Sequence, residues 1–123
     1  MKYTIKPSAD GLYIVLKVKG EITREQAMKQ NVEAHALGRK LGINRYLVDA
    51  TQCRNVETVS NNYGFAYQDM AEADDIDRTA RVATLVSPDD HSHDFIETVA
   101  KNSGLNMTLF RNRKQAVEHL TKK

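Results

Sequence analysis

Two short stretches hold most of the side chains that could do chemistry. In "SPDDHSHD", residues 87–94, Asp89, Asp90, His91, His93 and Asp94 fall within six consecutive positions. Imidazoles and carboxylates at that density can supply two or three ligands to zinc or to a harder cation. Histidines two apart at a helix start point their rings in different directions, however, and no second His or Cys cluster completes a coordination shell. The same residues also read as an acidic first helical turn, carboxylates set against the dipole and Ser92 as N-cap. His91 and His93 are weak metal candidates on this basis, and no cofactor is expected.

The second stretch is "YLVDATQCRNVETVSNNYGFA", residues 46–66, in which an apolar strand runs through a polar turn into a helix that starts among hydroxyls. Thr58 and Ser60 stand where a side-chain oxygen can accept a backbone N–H as an N-cap, stabilising by about 1 kcal/mol. A helix N-terminus can equally host a phosphate, worth about 0.3–1 kcal/mol at an exposed end, although Glu57 would oppose it. Cys53 is expected in the turn after the strand, beside Arg54, where a helix start could acidify its thiol. Catalytic templates are otherwise missing: there is no G-x-S-x-G, no C-x-x-C and no Gly-rich phosphate loop. The chain is not expected to be an enzyme.

The elements that must position these groups follow from periodicity. "LYIVLKVKG", residues 12–20, alternates Leu12, Ile14 and Leu16 on one face, and "KYTIKP" before it can pair across Asp10-Gly11 as a hairpin. "TREQAMKQNVEAHALGRKLG" opens with Thr23 and Gln26 at capping-box spacing, carries Ala27, Met28, Ala34, Leu37 and Leu41 near helical period, and stops at Gly42. "INRYLVDA", residues 43–50, reads as a short strand, and Val59, Tyr63, Ala66, Met70 and Ala73 form a helical stripe after it. "RVATLVSP" (81–88) is a strand, and residues 92–104 a helix pairing Phe95 with Val99 and Ile96 with Ala100, closed by Gly104. "LNMTLFRN" is the last strand, before a helix capped by Asn112 with Gln115.

The order β-β-α-β-α-β-α-β-α predicts an α/β fold in a single domain spanning 1–123. Its mostly parallel or mixed sheet has about five strands with an N-terminal β-hairpin, and about four helices join them. Where the carboxyl ends of parallel strands meet, Asp49, Thr51, Ser87 and Asp89 should gather around a crevice for a small apolar or anionic ligand. Tyr63, Phe65 and Tyr67 crowd the second helix, more aromatic surface than one buried stripe needs, so Tyr63 and Tyr67 are candidates to face a partner, a homodimer surface or a pocket.

This element order, with "YLVDAT" as central strand and a hydroxyl-bearing helix start after it, resembles the STAS domain of the anti-sigma-factor antagonist family. In that family the central strand reads aliphatic-aliphatic-Asp-aliphatic-Ser, matched here by Val48, Asp49, Ala50 and Thr51, and an Asp-Ser-Ser-Gly turn carries a phosphorylatable serine. An ungapped carry-over lays "ETVS" on that turn, Glu57 at the acidic position and Thr58 at the first serine. Val59 and Ser60 depart from it. The resemblance implies a STAS-like regulatory or protein-interaction module, with a regulatory or kinase-type protein partner and the turn at 51–61 as contact surface.

Composition narrows the setting. Eighteen Lys and Arg against sixteen Asp and Glu, spread along the chain, give a formal charge of +2 and no footprint for nucleic acid. No apolar run reaches the roughly 18 residues of a membrane span. One cysteine rules out an internal disulfide, and no signal-peptide pattern opens the chain, so a reducing cytoplasm is the expected location.

Overall fold

The opening alternation folds as an antiparallel hairpin of β1 (Lys2–Pro7) and β2 (Ile14–Ile22), in register from Lys2 against Lys19 to Pro7 against Ile14. The turn is longer than the Asp-Gly pair predicts. Residues 8–13 close it, with the Ser8 N–H donating to the Tyr13 carbonyl at 2.8 Å and the Ser8 hydroxyl to Asp10 at 2.6 Å. Leu12 therefore lies in the loop, 51% exposed, and the apolar face of β2 is Ile14, Leu16 and Val18 instead.

The computed structural model describes residues 2–55, 61, 64, 79–102 and 104–122. The helical stripe expected from Val59 to Ala73, with Thr58, Ser60, Tyr63 and Tyr67, lies outside the described residues.

Helix α1 (Arg24–Leu41) starts where its caps predict: the Thr23 hydroxyl accepts from the Gln26 N–H, and the Gln26 side chain accepts from the Thr23 N–H at 3.2 Å. It stops because Gly42 takes a left-handed conformation (φ 70°), which lets the Ile43 N–H reach back to the Gly38 carbonyl at 2.8 Å. Its buried face is Gln30, Ala34, His35 and Gly38, whereas Leu41 is 46% exposed. Gly38 is there for contact. A Cβ on it would stand 2.1 Å from the Tyr46 hydroxyl, so only glycine lets the helix lie this close to β3 (Arg45–Asn55), and the Tyr46 ring stacks on His35 at 4.4 Å.

Strands β4 (Arg81–Leu85) and β5 (Asn106–Phe110) complete a five-stranded sheet of order β1-β2-β3-β4-β5, parallel throughout except at β1. Helix α2 (Asp94–Asn102) buries Ile96, Val99 and Ala100, as the spacing predicts, but leaves Phe95 39% exposed. Helix α3 (Arg113–Thr121) starts with the Asn112 side chain accepting the Gln115 N–H at 3.1 Å. The fold is thus the predicted α/β class with a mixed five-stranded sheet, and three helices lie among the described residues.

One face of the sheet packs Leu16, Val18, Ala50, Cys53 and Val86 under α1 and α2; the other packs Leu47, Ala83 and Leu85 against Ala116 and Leu120 of α3. Helix α3 is fastened at its far end as well. Its last carbonyls accept from Arg45 (Leu120, 2.8 Å) and Arg81 (His119, 3.0 Å), placing guanidinium charge at the negative end of the helix dipole.

Strand β3 runs to Asn55, five residues beyond the predicted end, because β2 continues beside it as far as Ile22 against Asn55. Between Lys17–Lys19 of β2 and Asp49–Gln52 of β3 the register slips, two steps facing three. This bulge adds one residue to β3. Tyr46 and Ala50 are buried before it, and Cys53 after it, while Gln52 is exposed.

Candidate functional site

Because β4 ends at Leu85, opposite Asp49, the overhang of β3 from Ala50 to Asn55 has no strand among the described residues on that side. A backbone edge left bare beside a core is costly, since unpaired buried N–H and C=O groups lose their water without compensation. The β4–α2 connection supplies the partners through side chains. The Ser87 hydroxyl donates to the Thr51 carbonyl at 2.6 Å, His93 Nε2 lies 3.3 Å from the Cys53 carbonyl, and the Asn55 N–H donates to the Ser92 hydroxyl at 3.0 Å. Ser92 is accordingly not the helix cap its position predicts; its oxygen faces β3.

On the α3 side of the same overhang sits Asp49, its side chain 5% exposed. One carboxylate oxygen accepts from the Thr51 hydroxyl (2.7 Å) and N–H (3.2 Å), bracing the bulge; the other accepts from Arg113, the first residue of α3, at 2.7 Å. Burial pushes this carboxyl's pKa up, but the bonds from Thr51 and Arg113 outweigh it and the group titrates below the ordinary aspartate value.

The acidic cluster divides between two uses. Asp90 accepts the Ser92 N–H at 2.8 Å and stands 3.8 Å from His93, and its pKa lies below the ordinary value, the Ser92 bonds overcoming the effect of burial. Asp94 binds His91 Nδ1 at 2.9 Å and Arg111 at 3.0 Å at the surface; those two contacts lower its pKa. His91 is exposed and His93 buried, each in a different network, and no group of three His, Cys, Asp or Glu side chains among the described residues could hold a metal ion. Asp89 is exposed in the turn.

Cys53 is inside the strand, not in a turn. Burial, with Asp90 nearby, pushes its thiol up to about 11, opposite to the acidification a helix start would bring. Its side chain lines a cavity of about 120 Å³ between α1, α2 and the sheet, walled by Leu16, Val18, Val48, Ala50 and Ile96 with polar edges at Gln30, His35 and His93. The predicted crevice is thereby split. Asp49, Thr51 and Ser87 do come together at the carboxyl ends of the strands, in bonds that close the edge, while the cavity opens on the opposite face of the sheet. Arg111 and Arg113 were not legible as site residues: each follows the last strand by a residue or three, and nothing local marks its carboxylate partner.

This architecture has solved counterparts. Over 97% of this chain and 92% of the other, it superposes on an uncharacterised DUF3478-family protein with a SpoIIAA-like fold from Shewanella loihica PV-4, at TM-score 0.52 and 16% identity. The fold is STAS-like. An anti-sigma factor antagonist, SpoIIAA in its unphosphorylated form, matches over 97% of this STAS-like chain and 96% of its own, at TM-score 0.51 and 17% identity. No family model and no curated protein matches the sequence. No helix among the described residues is long and apolar enough to cross a membrane.

Proposed function

We propose that this STAS-like chain is a non-enzymatic regulatory module that works by binding a protein partner, in the reducing cytoplasm, with the segment from Thr51 to residue 61 as contact surface and Thr58 or Ser60 as its phosphorylation switch. The observation that carries this reading is the braced β3 overhang. Ser87, Ser92, His93 and Asp49 hold Thr51–Asn55 rigid up to three residues before Thr58, so a contact surface starting there is pre-organised and loses little entropy on binding. The similar fold of an anti-sigma factor antagonist solved in its unphosphorylated form supports a phosphorylation switch. Cys53, protonated and buried, is poorly suited to nucleophilic work.

The test is intact-mass analysis and site mapping on protein isolated from its own cells, followed by T58A/S60A capture of the partner so identified. Phosphate at Thr58 or Ser60 together with altered partner binding supports the switch. Protein that is unmodified there in every growth condition, and whose variant keeps its partner, overturns it.

A second reading is favoured by the cavity beneath α1 and α2: a small apolar ligand. Its volume is close to the roughly 150 Å³ of engineered cavities that bind benzene. Thermal stabilisation by benzene, abolished when Ala50 is enlarged to Leu, is its expected signature; no stabilisation at saturating benzene refutes it.

A further inference from the structure

Helix α3 covers β3, β4 and β5 on its side of the sheet, and among the described residues no helix packs on the hairpin beside it there. The residues of β1 and β2 pointing that way follow from register. Ile14, Leu16 and Val18 face α1, so Val15, Lys17 and Lys19 face the other side; Thr4 stands opposite Lys17 and Lys6 opposite Val15. Thr4, Lys6, Lys17 and Lys19 are all exposed. Lys17 has a carboxylate in register across the strand pair, Asp49, but Arg113 and Thr51 already hold it. No ion pair joins Lys6, Lys17 or Lys19 to a carboxylate among the described residues.

We infer that this exposed face of the hairpin is a docking surface for an acidic segment of a protein partner, read through Lys6, Lys17 and Lys19. The proposal extends the interaction-module reading to a second surface, on the sheet rather than at the end of β3. Charge complementarity selects the occupant. A second copy laid face to face would set lysine against lysine. A nucleic acid strand would want aromatic platforms, and the side chains between these lysines are Thr4 and Val15. An extended acidic peptide fits the spacing: Lys17 and Lys19 lie about 6.8 Å apart along the strand, the repeat of alternate side chains in a second extended chain. The strip is small, so the complex should be weak, fast and strongly dependent on salt.

The experiment is amide chemical-shift mapping of the intact protein with an oligo-glutamate peptide, with anionic phosphatidylserine vesicles and single-stranded DNA as competing probes. The expected result is saturable shifts confined to β1, β2 and the adjoining part of β3. They should vanish in K6Q/K17Q/K19Q and as ionic strength rises from about 0.01 M to about 1 M, which shrinks the Debye length from about 30 Å to about 3 Å. These substitutions lie on an exposed face, and an unchanged melting curve verifies the fold. Shifts centred on Arg111 or Arg113, equal binding by the triple variant, or preferential binding to vesicles or DNA each overturn the proposal. Because the peptide carries no phosphate and the variant leaves Thr58 and Ser60 intact, this outcome is separate from that of the phosphorylation test.

Discussion

Replacing Gly38 by alanine sets two effects of opposite sign against each other, and the contact at β3 decides between them. In an exposed helix the change should stabilise by about 1 kcal/mol, since alanine restricts the unfolded chain and favours helix. Here the new methyl would meet the Tyr46 hydroxyl at 2.1 Å, the Ile43 carbonyl at 2.6 Å and the Tyr46 Cζ at 2.9 Å, where ordinary contact begins near 3.4 Å. The neighbours cannot yield freely. Tyr46 is stacked on buried His35, and the Ile43 peptide is tied back to Gly38 itself by the helix-ending hydrogen bond. Overpacking of this kind costs about 1–3 kcal/mol. Because the displacement exceeds an ångström at a pinned ring, the upper part of that range applies, and the net loss should be about 1–2 kcal/mol after helix propensity is subtracted. Urea unfolding followed by circular dichroism would register it as a lower midpoint with an unchanged slope. Tyr46→Phe removes the nearest clashing atom, so G38A/Y46F should lose less than the two single losses added, with a coupling of about 0.5 kcal/mol or more. A G38A protein more stable than wild type, or strict additivity in the cycle, would refute the close approach of α1 to β3.

Three further outcomes follow from the site. Asp49 titrates below its ordinary value in the fold, so its stabilisation is complete above about pH 4 and is lost as the pH falls through the folded value. Asp49→Asn should therefore flatten the acid limb of the stability curve and lower stability at pH 7 by about 1–3 kcal/mol, less than for a fully buried pair because the Arg113 side chain is 56% exposed. Ser92→Ala should cost about 1 kcal/mol and selectively speed hydrogen exchange at the Asn55 amide, whose acceptor it removes; exchange accelerated evenly along β3 would contradict the assigned bond. Iodoacetamide should alkylate Cys53 slowly at pH 8 in the folded protein and rapidly in urea, with the folded reaction rising only toward pH 11; brisk modification at neutral pH would mean that the thiol is neither buried nor shifted.

What could be read in the sequence was whatever is decided within one turn of chain. Thr23 with Gln26, Gly42, Gly104 and Asn112 with Gln115 are legible because a cap and its hydrogen-bond partner lie a few residues apart. The α/β class and the hairpin followed from the change of hydrophobic period. The length of β3 did not, since "TQCRN" is polar and becomes strand only because β2 extends beside it and Ser87, Ser92 and His93 bond to it from some forty residues away. A still longer separation, 64 residues, hides the pairing of Asp49 with Arg113, and the local reading of Ser92 as a cap loses to the demand from β3. Alternation sets Leu12 on the strand face of Ile14 and Leu16 because it alone cannot tell where a hairpin loop ends.

The bulge in β3 also acts as a phase change in the text of the chain. On the face toward α1 and α2 the even-numbered Tyr46 and Ala50 point inward upstream of it; downstream the inward position on that face is odd, at Cys53. Any residue role transferred from a relative that lacks the inserted position must cross this point with a one-residue gap.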